Sequence, residues 1–402
     1  MSGPRTYLDW NATAPLRPEA RAAMLAALEE TGNPSSVHTE GRRARAIIER
    51  AREQVAALVG AAPHSVIFTS GATEAANHAL TPHGWDAGPA PENRELYVSA
   101  IEHPCVLAGG RFAPDKVTTL PVDRTGCLDI LYLEQRLKLH SPATARPLLA
   151  LMLANNETGV IQPVEAAVAV VQAAGGHLVC DGVQAAGRIK IDLPSLGASA
   201  LILSSHKLGG PKGAGALIVT NEAARIAPLI TGGGQERRQR SGTENVAAIA
   251  GFGAAAEAAS KDLVNMPRIA TLRNRLEDGV DRISSRSNRS SSRSFGDGSR
   301  SFAVKCSNSR LPNTALVSLP GAAAETLVIQ LDLAGVSVSA GAACSSGKVK
   351  RSHVLDAIGI DPATAAGTIR VSLGTTTTDA DVDRFLAAWV SIVTAHGARR
   401  AA

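Results

Sequence analysis

The chain has 402 residues, of which 45% are hydrophobic and 19% charged, and this length predicts a large domain with a smaller companion. That much apolar material excludes an intrinsically disordered protein. The formal net charge of +5 is small for the length. Because aromatic residues are not interleaved with the basic ones, the charge favours binding of a small anion over binding of nucleic acid.

Short apolar runs typical of strands alternate with helix-like segments through the first two thirds of the chain. The strand-like runs are Ser65–Ser70, Glu95–Ala100, Pro147–Asn155, His177–Asp181, Ser199–Ser205 and Gly215–Thr220. Helix-like segments follow the first four runs, at 72–80, 102–110, 163–175 and 182–187. This alternation predicts a mostly parallel sheet with helices on both faces. The last two strands should be antiparallel neighbours, because the loop between them is too short for a crossover helix.

A long helical stretch after Asn245 leads into a smaller α/β unit. We predict a large domain at 15–260 and a small domain formed by 1–14 together with 261–402. Within the small domain, 283–310 is rich in serine and arginine and has little periodicity, which predicts an irregular surface loop. The strand-like and helical runs of this unit are Asn313–Gly321, Glu325–Ser339, Ile369–Gly374 and Asp379–Ala395.

The cysteines are scattered and odd in number, and they lack the CxxC spacing of a disulfide framework or a zinc site. They are Cys105, Cys127, Cys180, Cys306 and Cys344. Reduced thiols are typical of the cytosol. The sequence begins without an apolar targeting core, and no run of about 18 apolar residues predicts a membrane span. We therefore expect a cytoplasmic protein without a resident metal.

Polar residues stand at the ends of the predicted strands: Ser70–Thr73, His103, Asn155, Asp181 and Ser204–Lys207. Ligands of parallel sheets bind beyond the carboxyl ends of the strands. We therefore expect these residues to surround a ligand.

Three of these strand ends have a functional interpretation, and each has a plainer one as well. TSGATE (69–74) could bind an anion at a helix start, or Ser70 or Thr73 could simply cap that helix. Asp181 could hold a protonated ring nitrogen or serve as another helix cap. Lys207, desolvated near other cations, could form a Schiff base, although most lysines are solvated. Lys212, in the same loop, is expected to be a surface lysine.

Three later features add to the pattern. The glycine- and arginine-rich loop 231–245 could bind an anion or be a solvated basic loop. Cys344 lies among Gly, Ser and Ala, a context typical of a mobile reactive thiol rather than a buried structural one. Arg370, on a predicted strand, suits a bidentate clamp for a carboxylate.

The order of these motifs closely resembles the NifS/IscS-type cysteine desulfurases. The resemblance rests on YLDWNATAP (7–15), GNPSSVH (32–38), SSHK (204–207), GGGQE…RSGT (232–243), SAGAACSSG (339–347) and IRVSLG (369–374). It implies fold type I of the pyridoxal 5'-phosphate (PLP) enzymes. That fold has a mostly parallel seven-stranded sheet with helices on both faces, and a smaller α/β domain.

The resemblance also implies a PLP site. Lys207 would hold PLP covalently, and Asp181 would pair with the pyridine nitrogen. His103 would stack on the ring and shuttle protons. The other cofactor contacts would come from Asn155, Gln184, Ala72, Thr73, Ser204, His206 and, from the partner subunit of a homodimer, Thr243.

For the substrate, Asn33 and Arg370 would hold the carboxylate of L-cysteine, and Cys344 would accept its sulfur as a persulfide while L-alanine is released. The cysteine motif resembles the longer-loop branch, which is linked to iron–sulfur cluster assembly and nitrogen fixation, so a sulfur-acceptor scaffold protein is the implied partner. Two alternatives remain open from the sequence. One is a selenocysteine lyase or another class V PLP enzyme, and the other is a non-catalytic cluster-assembly scaffold.

Overall fold

The computed structural model describes residues 5–86, 94–139, 146–221, 224–287, 301–307, 309–341 and 351–401. The strands are β1 (Thr6–Tyr7), β2 (Val66–Thr69), β3 (Leu96–Ser99), β4 (Val117–Leu120), β5 (Leu148–Met152), β6 (His177–Asp181), β7 (Ala200–Ser204), β8 (Gly215–Val219), β9 (Phe302–Val304), β10 (Thr314–Ser318), β11 (Val336–Ser337), β12 (Ser339–Ala340) and β13 (Thr368–Ser372).

The α-helices, in chain order, are α1 (Pro18–Leu28), α2 (Thr39–Leu58), α3 (Ala72–Ala79), α4 (Pro104–Leu107), α5 (Ile130–Lys138), α6 (Val164–Ala173), α7 (Leu193–Leu196), α8 (Val246–Lys261), α9 (Met266–Ser287), α10 (Ala324–Leu333), α11 (His353–Ala357), α12 (Pro362–Ala366) and α13 (Asp379–Ala401). Among the described helices, none combines the length and the apolar character needed to cross a bilayer.

A seven-stranded sheet forms the centre of the larger part, in the order β2-β8-β7-β6-β5-β3-β4. The five strands β7, β6, β5, β3 and β4 are parallel to one another, whereas β8 is antiparallel to both β7 and β2. The prediction of a mostly parallel sheet is confirmed, and so is the antiparallel pairing of the last two strands.

Two apolar cores cover the two faces of this sheet. In β7, Leu201 and Leu203 pack into a core shared with α2, α5, α6 and α8, while Ala200 and Ile202 pack into a core shared with α3 and α4. This alternation follows from the two-residue period of a strand. Helices therefore lie on both faces, as predicted, and the carboxyl edge of the sheet is left for a site.

The smaller part is built on a four-stranded antiparallel sheet in the order β12-β13-β10-β9. Helices α9, α10 and α13 pack on it around a third core, which also contains Leu8 from the N-terminal segment. β1 pairs in parallel with β11 and ties that segment to the smaller part. The domain limits at 14/15 and 260/261 remain a prediction.

Several local predictions were wrong. The stretch 182–187 after β6 forms turns instead of a helix, because the Asp181 carboxylate accepts a hydrogen bond from the Val183 amide and starts a tight turn. One turn of 3-10 helix at Asp262–Asn265 divides the long helical stretch. Within 283–310, the first residues continue α9 to Ser287, and Phe302–Val304 forms β9.

Candidate functional site

Lys207 lies just beyond the carboxyl end of β7, on a single 3-10 turn formed by Ser205–Lys207. Its Nζ donates hydrogen bonds to the carbonyl oxygens of Asn11 and Ala12, at 2.6 and 2.8 Å. Gly209 then takes a φ of +82°, and the chain returns as β8. Lys207 is therefore held in the wall of a cavity, contrary to the plainer expectation of a solvated lysine.

This cavity has a volume of about 670 Å³ and lies at the carboxyl edge of the large sheet. It brings together most of the residues singled out from the sequence: Ala72, Thr73, His103, Asp181, Gln184, Ser204, His206, Lys207 and Arg370. Except for Arg370, which comes from β13 of the smaller sheet, these residues follow the ends of strands of the large sheet that are distant in sequence, as the parallel topology predicts. Lys212 is exposed, so the expectation of a surface lysine is confirmed, and it also lines the cavity.

The remaining candidates lie elsewhere. The Asn155 side chain is buried behind the cavity lining, where its Oδ1 accepts from the Glu157 and Thr158 amides and its Nδ2 donates to the Ile101 carbonyl. Asn155 thus shapes the turn that carries Asn156, which does line the cavity. Asn33 and Thr243 are exposed and outside the lining, and Cys344 lies outside the described residues.

The start of α3 forms one end of the cavity. Gly71 is its N-cap residue and no side chain caps the helix, so the alternative that Ser70 or Thr73 fills this position was wrong. A Cβ on Gly215 would lie 2.6 Å from the Gly71 carbonyl carbon, whereas one on Gly71 itself would meet no atom within 4 Å. The backbone of this loop therefore packs against β8, whereas the space into which a Gly71 side chain would extend is open. Its uncapped N–H groups, with Ser204 nearby, fit a phosphate.

Asp181 is buried at the end of β6 in the same cavity. Burial raises the pKa of its carboxyl to about 6, although the Val183 amide and the charge of Lys207 oppose this rise. The alternative that Asp181 caps a helix was wrong, because turns follow it. A buried carboxylate of this kind fits a protonated ring nitrogen, whose positive charge would stabilise the ionised form.

Two histidines of the cavity are neutral at pH 7. Burial, reinforced by the positive charge of Lys207, lowers the pKa of His103 to about 4 and that of His206 to about 4. His206 also places Nδ1 3.2 Å from the Thr13 hydroxyl. Neutral imidazoles at these positions can offer one N–H each without adding positive charge.

Arg370 brings a guanidinium from β13 of the smaller sheet into the cavity. It donates to the Asn156 carbonyl at 3.0 Å and to the Asp9 carboxylate at 2.9 Å. Its buried Nε has no hydrogen-bond partner among the described residues. On the cavity wall, Gln184 donates to the Asn11 carbonyl at 3.1 Å.

The basic loop 231–245 uses two of its arginines for internal contacts. Arg237 donates to the carbonyls of His64 and Val66, and Arg240 pairs with Glu74 at 2.9 Å. These contacts attach the loop to the large domain, yet most of the loop, Arg237 included, is exposed as the solvated interpretation expects, and the anion-binding interpretation stays a prediction.

Sequence reasoning assigned no role to two parts of the cavity. One is the segment Asn11–Thr13, whose carbonyls hold Lys207. This segment lies within the motif YLDWNATAP, which the sequence analysis used only as part of the resemblance. The other is Cys105, two residues after His103, which the sequence presented only as one of five scattered thiols.

Known proteins share this architecture. The family model described as Aminotransferase class-V matches residues 6–385. A cysteine desulfurase of Cereibacter sphaeroides is 41% identical over 388 residues, covering 95% of this chain and 94% of the relative. Cysteine desulfurase IscS 1 of Archaeoglobus fulgidus is 36% identical and covers 94% of each chain. Among solved structures, a NifS-like protein of Rickettsia africae has a TM-score of 0.82 at 32% identity, covering 96% of this chain and 99% of its own.

Proposed function

The chain belongs to the class-V aminotransferase family, and we propose that within it this protein is a PLP-dependent cysteine desulfurase that converts L-cysteine to L-alanine. The observation that carries the proposal is the shared cavity of Lys207, Asp181 and the uncapped start of α3. Its relatives of similar length bear the same activity in their names.

Each polar part of PLP would meet a suitable group. The phosphate would bind at the start of α3, with Thr73, Ser204 and His206 around it, and the pyridine nitrogen would face Asp181. The aldehyde carbon would be bound by Lys207. When bound, PLP supplies an electron sink for negative charge that develops at the substrate Cα.

The protein's own residues would perform the remaining work. Arg370 would hold the substrate carboxylate, and Asn33 would assist it. Lys207 Nζ, as a free amine, would take the α-proton of the substrate. The Cys344 thiolate would then attack the substrate sulfur, so that an S–S bond forms as the Cβ–S bond breaks. The electron pair of the broken bond would take up a proton at Cβ, and the α-proton would return to Cα, which gives alanine as the product.

The assembly and the sulfur acceptor are part of the same proposal. Thr243 is exposed and outside the cavity of its own chain, which supports its contribution to the phosphate site of a second copy in a homodimer. The persulfide on Cys344 would pass to an acceptor protein, and the IscS name of one relative favours iron–sulfur cluster assembly. A cytoplasmic site of action is proposed from the scattered cysteines.

The test compares three variants of the purified protein, with the visible absorption of bound PLP and the release of sulfide and alanine from L-cysteine as readouts. Lys207→Ala should lose turnover and the absorption of the covalently held cofactor. Cys344→Ala should keep that absorption and lose sulfide release by at least about 100-fold, because the attacking thiolate is removed. Cys127→Ala, at a half-buried thiol outside the cavity, is the matched control and should keep both.

Two results would contradict the proposal. Sulfide release that survives Cys344→Ala would remove Cys344 as acceptor. A wild-type protein that shows no PLP absorption, even after the cofactor is added, would support a non-catalytic scaffold.

A further inference from the structure

His103 carries an unusual arrangement at one ring nitrogen. Its Nδ1 lies 3.2 Å from the backbone nitrogen of Cys105, which donates to it as α4 begins, and 3.0 Å from the Cys105 Sγ. Two groups of one residue therefore converge on a single imidazole nitrogen.

The backbone contact decides the direction of the thiol contact. A peptide N–H can only donate, so Nδ1 must be an acceptor and carry its lone pair toward Cys105. A neutral imidazole with an accepting Nδ1 bears its proton on Nε2. The thiol, meeting the same lone pair, must donate its S–H rather than accept.

The surroundings of Cys105 keep the thiol protonated. Burial, followed by the charge of Asp181, raises its pKa to about 12, while a hydrogen bond from Thr73 acts in the opposite direction. Around His103, burial and then the charges of Lys207 and His353 disfavour the imidazolium. The His353 ring itself donates through Nε2 to the Glu102 carbonyl.

We propose that Cys105 is a positioning residue that holds His103 as the neutral Nε2–H tautomer, so that His103 offers a hydrogen-bond donor to the cavity and does not carry the α-proton. The proposal rests on the proposed desulfurase function and concerns its proton path. A ring nitrogen whose lone pair accepts from two donors is not available as a base. A neutral imidazole N–H is too weak an acid to release its proton. Proton transfer at the substrate Cα is then left to Lys207, and the shuttle role that the resemblance implies for His103 is withdrawn.

The experiment reads the tautomer directly. Holoenzyme labelled with 15N-histidine is examined by long-range 1H–15N NMR, and the His103 signals are assigned by their loss in His103→Gln. In the wild type, Nδ1 should be unprotonated and Nε2 protonated, with no imidazolium between about pH 5 and 8. Cys105→Ser should keep this pattern because a hydroxyl also donates to Nδ1. Cys105→Ala should move the midpoint of the His103 titration upward by roughly one pH unit, since one donor is lost.

An Nδ1–H tautomer or an imidazolium in the wild type within that pH range would overturn the proposal. So would a Cys105→Ala spectrum and titration identical to those of the wild type, or a Cys105→Ser variant that behaves like Cys105→Ala. These readouts report the ring nitrogens whether or not L-cysteine is turned over, so failure of the desulfurase assay and failure of the tautomer assignment are separate results.

Discussion

Glu157 is a buried carboxylic acid next to the cavity. Its Oε2 accepts a hydrogen bond from the Ser352 hydroxyl at 2.6 Å, and a Cβ on Gly341 would lie 2.8 Å from the same oxygen. It therefore contacts both sides of the stretch 342–350, which includes Cys344. Burial raises the pKa of Glu157 to about 7, and the opposing effects of Ser352 and Arg370 are smaller.

The raised pKa predicts a pH dependence of stability. Between about pH 4.5 and 7 the folded state binds more protons at Glu157 than the unfolded chain does, so the free energy of unfolding falls as pH rises through this window. Glu157→Gln removes the titration while its amide oxygen still accepts from Ser352. Relative to the wild type, the variant should gain stability from pH 5 to pH 8, by up to about 3 kcal/mol.

The measurement is urea unfolding of the holoenzyme at pH 5 and pH 8. Asp181 also has a raised pKa and contributes its own pH dependence. The quantity to compare at the two pH values is therefore the difference in the free energy of unfolding between variant and wild type. Glu165→Gln, at an exposed position early in α6, is the control and should run parallel to the wild type. A Glu157→Gln difference that is the same at both pH values would show that Glu157 does not titrate in this window.

The sequence predicts some of the residues that meet at the site and misses others. Lys207, Asp181 and Ser204 stand at the ends of apolar runs, and the parallel sheet places such ends at one edge. Lys207 contacts the carbonyls of Asn11 and Ala12, which lie 196 and 195 residues away in the sequence. It depends on backbone oxygens, which every residue has, so no pattern of side chains indicates it.

Among the elements, α2, β2 and the loop 231–245 are joined by one buried ion pair. Arg52 of α2 donates to both oxygens of Glu236, at 2.9 and 2.8 Å, and its Nη1 also donates to the Val66 carbonyl. Glu236 Oε2 accepts in addition from the Phe68 amide in β2. The side chains of both members of the pair are at most 4% exposed, so the charges depend on each other.

Removal of one charge should destabilise this junction. Glu236→Gln keeps the size of the side chain but leaves the buried Arg52 guanidinium without its counter-charge. The free energy of unfolding should fall by about 3 to 5 kcal/mol, measured by urea unfolding of the holoenzyme. Glu134→Gln, which breaks the exposed pair with Lys138, should leave stability close to that of the wild type. A loss at Glu236 no larger than that at Glu134 would contradict a structural role for the pair.

The helices and strands were predictable where the period of the apolar residues and the length of the run indicated the same type of element. All six predicted strands of the large sheet are present within three residues of their expected limits, because buried strands are continuous apolar runs. The short strand β4 was missed because its two central residues are threonines. Segment 182–187 looked helical from its alanines, but the hydrogen bond between Asp181 and Val183 competes with a first helical turn.

In the whole molecule, the cavity is completed by a residue from the smaller sheet. Arg370 in β13 crosses to the Asn156 turn beside the large sheet, while Asp9, its ion-pair partner, belongs to the N-terminal segment. The guanidinium therefore has two separable tasks, which are to join these parts and, in the proposed reaction, to bind the substrate carboxylate. Sequence alone predicted the second task from an arginine on a strand but could not show the first.

Substitution can separate the two tasks. Arg370→Lys keeps a positive charge but loses the planar pair of donors, so KM for L-cysteine should rise by about 10- to 100-fold while the PLP absorption is unchanged. Asp9→Asn weakens the same ion pair and leaves the guanidinium in place. It should lower the melting temperature and raise KM far less. The measurement is the steady-state rate of alanine formation against L-cysteine concentration, with thermal unfolding of each holoenzyme alongside. Equal increases of KM in the two variants would mean that Arg370 affects the reaction through its contacts between the two sheets, and not by binding the substrate carboxylate.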